Sequence, residues 1–117
     1  MRRVLFHPIA DGEQDEIFQW SFQTWGQRQA EDYIRGLHKH LNKLAETPGL
    51  WRLLTKRLRL GIETEVQIFV SRYRMHYVFF RKLSDDRLGV LRLIHVRRAL
   101  PRKLQRELVV MAKEEQP

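Results

Sequence analysis

The chain opens on Val4-Leu5-Phe6 set between charged residues, a pattern that predicts a short strand over residues 2–6, stopped by Pro8. A helical pattern follows. Asp11 stands where an N-cap is expected, and Glu13, Asp15 and Glu16 fall in the first turns, where the helix dipole favours acidic groups. Phe18, Phe22 and Trp25 recur at i, i+4 and i+7 and predict the buried face, widened by Ile17 and Trp20. Gly26 ends this helix. A second helix is predicted from Gln27 to Glu46, because Ala30, Ile34, Leu37, Leu41 and Leu44 form one narrow apolar seam. Thr47-Pro48-Gly49 stops it. With Gly26 as a tight connector, the two helices form an antiparallel hairpin whose stripe needs a sheet or a partner to cover it.

Residues 50–64 fit a helical turn, a strand or an ordered loop equally well. Beyond them the period changes to two. Val66, Ile68 and Val70 alternate with Gln67, Phe69 and Ser71, and Tyr73, Met75, Tyr77 and Phe79 alternate with Arg74, His76, Val78 and Phe80. Ser84 to Arg87 reads as a turn, and Leu88 to Val96 returns as a strand. Such tight connections imply an antiparallel meander. Pro101 opens a last helix that carries Leu104, Leu108 and Met111 on one face. The predicted order is β-α-α-β-β-β-α: an α+β fold, one domain over residues 1–117, with a two-helix hairpin packed on a small antiparallel sheet.

Composition narrows the function. Of 117 residues 43% are hydrophobic, which excludes a wholly disordered chain. There is no cysteine, so disulfides, thiolate nucleophiles and cysteine-based metal sites are excluded. No apolar run approaches the about 20 residues of a membrane span, and the start lacks the apolar region of a signal peptide. A cytoplasmic protein is the expectation. The net charge is +8, and the excess is local. Residues 52–103 hold 14 basic and 4 acidic residues (+10), whereas residues 1–51 and 104–117 each sum to −1. A surface of that kind attracts an acidic partner or a polyanion.

Candidate chemistry is sparse. The five histidines, His7, His38, His40, His76 and His95, are not spaced as metal ligands, and no glycine-rich phosphate loop or nucleophile elbow is present. No metal or cofactor is expected. One cationic cluster stands out. A pleated strand sends Arg72, Arg74 and His76 to one face, with Arg81 at its end, and Arg92, His95, Arg97 and Arg98 lie on or after the next strand. Such a face either holds a phosphate and moves a proton, or is a solvated or partner-binding surface. Trp20 and Trp25 read as core. Trp51, beside basic residues, reads either as core or as an exposed anchor.

Four motifs in order carry a resemblance. Ala10, Glu13, Ile17, Trp20, Trp25 and Gly26 form the first; Ala30, Tyr33, Leu37, Leu41, Leu44, Ala45 and Pro48 the second; Arg72 to Tyr77 the third; Ile94 to Arg98 the fourth. Together they resemble the ParE branch of the RelE/ParE toxin superfamily, the toxic half of type II toxin–antitoxin modules, over residues 3–98. The resemblance implies a toxin bound in a hetero-oligomer by an acidic, ParD-like antitoxin. ParE-like toxins inhibit DNA gyrase, whereas RelE-like relatives cleave messenger RNA in the ribosomal A site. A shared scaffold does not choose between them; the helix signatures and the lack of a terminal tyrosine favour gyrase inhibition. The alternatives are a messenger RNA endonuclease and a degenerate, non-toxic binding module. Under the gyrase reading no residue is catalytic, and Arg81, His95, Arg97 and Arg98 contact the target. Under the nuclease reading Arg81, His95 and Arg98 are catalytic, and only then is direct nucleic-acid binding expected. Trp20, Trp51, Arg57, Arg59 and Arg74 are the expected antitoxin contacts.

Overall fold

The computed structural model describes residues 3–54, 67–83, 86–98 and 102–114. Arg57 and Arg59, Val66, Ser84, Asp85 and Pro101 lie outside the described residues. Strand β1 is Val4–Phe6, helix α1 is Pro8–Trp25 and helix α2 is Gln27–Glu46. A 3-10 turn, Pro48–Leu50, leads into a two-residue strand β2, Arg52–Leu53, which resolves the ambiguous segment in part. Strands β3, Phe69–Tyr73, β4, His76–Lys82, and β5, Leu88–His95, precede helix α3, Arg102–Glu114. The sheet order is β1-β5-β4-β3-β2.

The fold class is α+β as expected, but the sheet is mixed. β1 pairs in parallel with β5, Val4 opposite Leu88 and Phe6 opposite Val90, while the other pairs are antiparallel. β4 occupies the other side of β5, so the first strand joins β5 on the outside edge. Helix α1 starts earlier than Asp11 suggested. Pro8 occupies the first helical position, where its missing N–H costs nothing, and His7 Nδ1 accepts the Ile9 N–H at 3.2 Å. Gly26, at φ +94°, makes the reversal into α2 in a region that other residues rarely adopt.

Helix α1 also buries a different face from the one its aromatic residues predicted. Ala10, Glu13, Ile17 and Ser21 are buried, while Phe22 and Trp25 are 45% and 51% exposed. Two small residues and one acid form most of that stripe, so a count of large apolar side chains points to the wrong side. Phe18 and Phe22 instead stack on each other, ring centres 6.4 Å apart. Helix α2 buries Ala30, Leu37 and Leu41 as predicted, together with Tyr33 and Ala45.

The sheet separates two apolar layers. On the hairpin side Ile17, Leu37 and Leu41 pack on Val78, Phe80, Leu88, Val90 and Leu93. On the other side α3 lays Leu104, Leu108, Val109, Met111 and Ala112 over Ile68, Phe79, Leu91 and Ile94. A β-bulge sets the change of side along β5: Phe79 opposes Arg92 and Phe80 opposes Val90, which leaves Leu91 as the extra residue. Glu13 serves the broken ladder. Its carboxylate accepts the Leu93 N–H at 3.0 Å and pairs with the Arg92 guanidinium at 2.9–3.1 Å, and Arg92 reaches on to Glu107 of α3 at 3.4 Å.

Candidate functional site

The reversal between β3 and β4 is tighter than the alternating pattern indicated. Tyr73 opposes His76, so Arg74 and Met75 form a two-residue turn, with Arg74 at φ +47°. The expectation that Arg72, Arg74 and His76 share one face therefore fails. A turn between them resets the alternation. Arg72 pairs with Tyr77, which packs on the α3 side, whereas Tyr73 packs on the hairpin side and His76 hydrogen-bonds to Tyr33 of α2 there.

Tyr33 organises this end of the molecule. Its hydroxyl accepts the Met75 N–H at 3.1 Å and lies 2.7 Å from His76 Nδ1. The same hydroxyl lies 3.5 Å from the Tyr73 carbonyl, so one phenol joins the β3–β4 turn and the His76 ring to α2. Tyr73 in turn donates to the Tyr33 carbonyl at 3.1 Å. That approach requires Gly36: a Cβ there would lie 2.2 Å from the Tyr73 hydroxyl oxygen. His95 stands opposite His76, ring centres 5.2 Å apart, and its Nδ1 accepts the Arg97 N–H at 3.1 Å. Trp20 meets His76, His95 and Tyr33 edge-on, at 5.1, 5.1 and 5.7 Å.

The electrostatics follow from burial. His76 is 4% exposed, and desolvation, with a smaller push from His95, lowers its pKa to about 4. Desolvation also raises the phenol pKa values of Tyr33 and Tyr73. Among the described residues no carboxylate hydrogen-bonds to either ring of the histidine pair, and no group of His, Asp and Glu is placed to hold a metal ion. A buried neutral histidine locked by a tyrosine is poorly suited to shuttle protons near pH 7. The arrangement builds a rigid, cation-rimmed end: the Arg74 guanidinium lies 6.0 and 5.8 Å from the ring centres of Tyr33 and Tyr73, and Arg72, Arg97 and Arg98 are exposed beside it.

The predicted site residues divide. Trp20, Arg74, His95, Arg97 and Arg98 gather at this end. Arg81 does not: it is 6% exposed on the α3 side, and its guanidinium donates to the Ala112 carbonyl, tying down the last turn of α3. Trp51 is half-buried between Phe69 and Phe80 and donates to the Leu44 carbonyl at 2.7 Å, a core residue rather than an open anchor. Sequence reasoning gave Tyr33 no role at the site, although the tyrosine stands within the second helix motif.

The family model described as "ParE toxin of type II toxin-antitoxin system, parDE" matches residues 4–100, from the parallel edge strand to just beyond this cationic end. The chain belongs to the ParE toxin family. Two relatives are similar along most of their length. Toxin ParE1 of Mycobacterium tuberculosis strain H37Rv is 28% identical over 107 residues, covering 87% of this chain and 97% of the relative. Toxin ParE1 of Caulobacter vibrioides is 31% identical over 86 residues, covering 74% and 80%. Membership makes this ParE-family protein the toxin of a type II toxin–antitoxin pair and implies a cognate antitoxin. No helix among its described residues is long and apolar enough to cross a membrane.

Proposed function

We propose that this toxin arrests growth by inhibiting DNA gyrase through contact and charge, and that a cognate acidic antitoxin neutralises it. The observation that carries the reading is the locked state of His76. His76 is neutral, buried and committed to Tyr33, and the Nδ1 of His95 is committed to the Arg97 N–H. That supports a binding surface over a proton-transfer centre. His95, Arg97 and Arg98 are the target contacts in this reading, while Arg81 acts through the α3 helix it holds. Arg74, Arg57 and Arg59 are the proposed electrostatic contacts for the antitoxin, in the segment that carries the +10 excess.

The test is growth arrest in cells alongside supercoiling by purified gyrase. Charge reversal at Arg97 and Arg98 weakens gyrase inhibition, and His95→Gln, which keeps size and hydrogen bonding, leaves much of the toxicity intact. If the protein were a ribosome-dependent nuclease, losing a general acid or base would cost about 10²–10⁴ in cleavage rate. Loss of toxicity in His95→Gln, with unimpaired gyrase and codon-positioned cuts in messenger RNA, overturns the proposal in favour of the nuclease.

A further inference from the structure

Trp25 ends α1 half-exposed, although it belongs to a family motif and packs edge-on against Trp20 at 5.0 Å. An exposed indole offers a large apolar face with a polar N–H, the chemistry of a binding contact. It borders a cleft of about 290 Å³ lined by Trp25, Gln29, Tyr33, Arg74 and Met75. Among the described residues the lining has an indole, an amide that both donates and accepts, and a guanidinium, but no carboxylate. Further cations stand beside the cleft. Arg72 Nε donates to the Arg74 carbonyl at 2.8 Å, which sets a second guanidinium at the turn. The Val96 N–H donates to the Met75 carbonyl at 2.9 Å, so the chain leading to Arg97 and Arg98 runs directly beside the cleft.

We propose that this cleft binds one unstacked base of a single-stranded nucleic acid, independently of any effect on gyrase. The base stacks on the Trp25 indole, the Gln29 amide pairs with its edge, and Arg74 takes the adjoining phosphate. Arg72, Arg97 and Arg98 follow the backbone to either side. An acidic peptide would satisfy the cations but gives no use to an exposed indole facing an amide. A nucleotide uses all three lining chemistries at once, since every base has a π-face and every linkage a phosphate. The role is binding: neither the locked His76 nor, among the described residues, a neighbouring carboxylate supplies a cleavage step.

The full-length protein is titrated into short fluorescein-labelled oligothymidylate and oligouridylate, read by anisotropy and by quenching of tryptophan emission. Trp25→Ala weakens binding about 5- to 150-fold, the range expected for one base–aromatic stack, and Trp25→Phe keeps most of the affinity. Arg74→Gln lowers the slope of log affinity against log salt by about 0.7, one phosphate contact on a single strand. The preferred oligonucleotide identifies the source as DNA or RNA. Thermal melting confirms that each variant folds, and if Trp25→Ala does not, Trp25→Phe and Arg74→Gln carry the test. Binding that responds to salt but is indifferent to Trp25→Ala is unspecific attraction to a basic protein and overturns the proposal. So does absence of binding at low salt. Gyrase supercoiling, measured separately, does not enter this result.

Discussion

Two buried polar groupings lie at different places on this sheet, and they are built on opposite principles. At the bulge in β5, Glu13 and Arg92 are both charged, both largely buried, and fully engaged: the carboxylate takes three N–H groups from the guanidinium and the backbone, and Arg92 extends to Glu107. At the turn between β3 and β4, Tyr33, His76 and His95 are held by neutral hydrogen bonds and ring edges, next to an open cleft. The first grouping joins α1, β5 and α3 and has nothing left over for a ligand. The second keeps its interior neutral and places its charge at the rim, where a partner can reach it. Burying a charge is tolerated only where every bonding position is matched, so the matched cluster is scaffold, and the cationic rim is where binding is to be sought.

The comparison breaks first at Glu13. Glu13→Ala leaves the largely buried Arg92 guanidinium to its longer, 3.4 Å contact with the more exposed Glu107 and the Leu93 N–H without its acceptor, and is expected to cost about 3–5 kcal/mol. Urea midpoints that scarcely move would show that the ion cluster is not the staple of the three elements.

The neutral grouping is probed by acid. The His76 pKa is about 4 in the folded chain, against an ordinary value of 6.5. Between these values the unfolded chain binds the extra proton, so stability is whole above pH 6.5 and falls as the pH drops towards 4. The integrated loss is about 3 kcal/mol, levelling off below pH 4. His76→Gln should flatten that part of the pH profile. An unchanged slope in the variant would mean that the acid sensitivity arises elsewhere.

The smallest effect sharpens the comparison. Tyr33→Phe keeps the ring contacts but removes the acceptor of the Met75 N–H and the partner of His76, for an expected cost of about 1–3 kcal/mol. Exchange of the Met75 amide with solvent deuterium should accelerate in that variant while the Leu93 amide stays protected. Equal acceleration of both would show that the two groupings open as one unit.

Much of the fold was open to reading from residue order. The bounds of α2, the stop at Gly26 and the apolar face of α3 follow from periodicity and from residues whose backbone preferences are strong. The face of α1 did not, because its buried stripe is Ala10, Glu13, Ile17 and Ser21, and an acid counts as polar until its partner is known. That partner, Arg92, lies 79 residues away. It is notable that Ala10, Glu13 and Ile17 are also the residues that carry the family resemblance: the motif marked the buried face where the aromatic pattern did not. The cationic end was legible as a group of arginines, but not its shape. Local alternation placed Arg72, Arg74 and His76 on one face, and only the pairing of Tyr73 with His76 shows that the chain turns between them.

Charge sign, the absence of cysteine chemistry, the helical hairpin and the toxin family were therefore determined by the sequence itself, since each depends on residue identity and near neighbours. The parallel placement of β1, the bulge that Glu13 serves, the burial of Arg81 beneath α3 and the exposure of Trp25 were decided by the tertiary structure. Each of these depends on which distant surface arrives to exclude water, and a side chain's own hydrophobicity does not specify that.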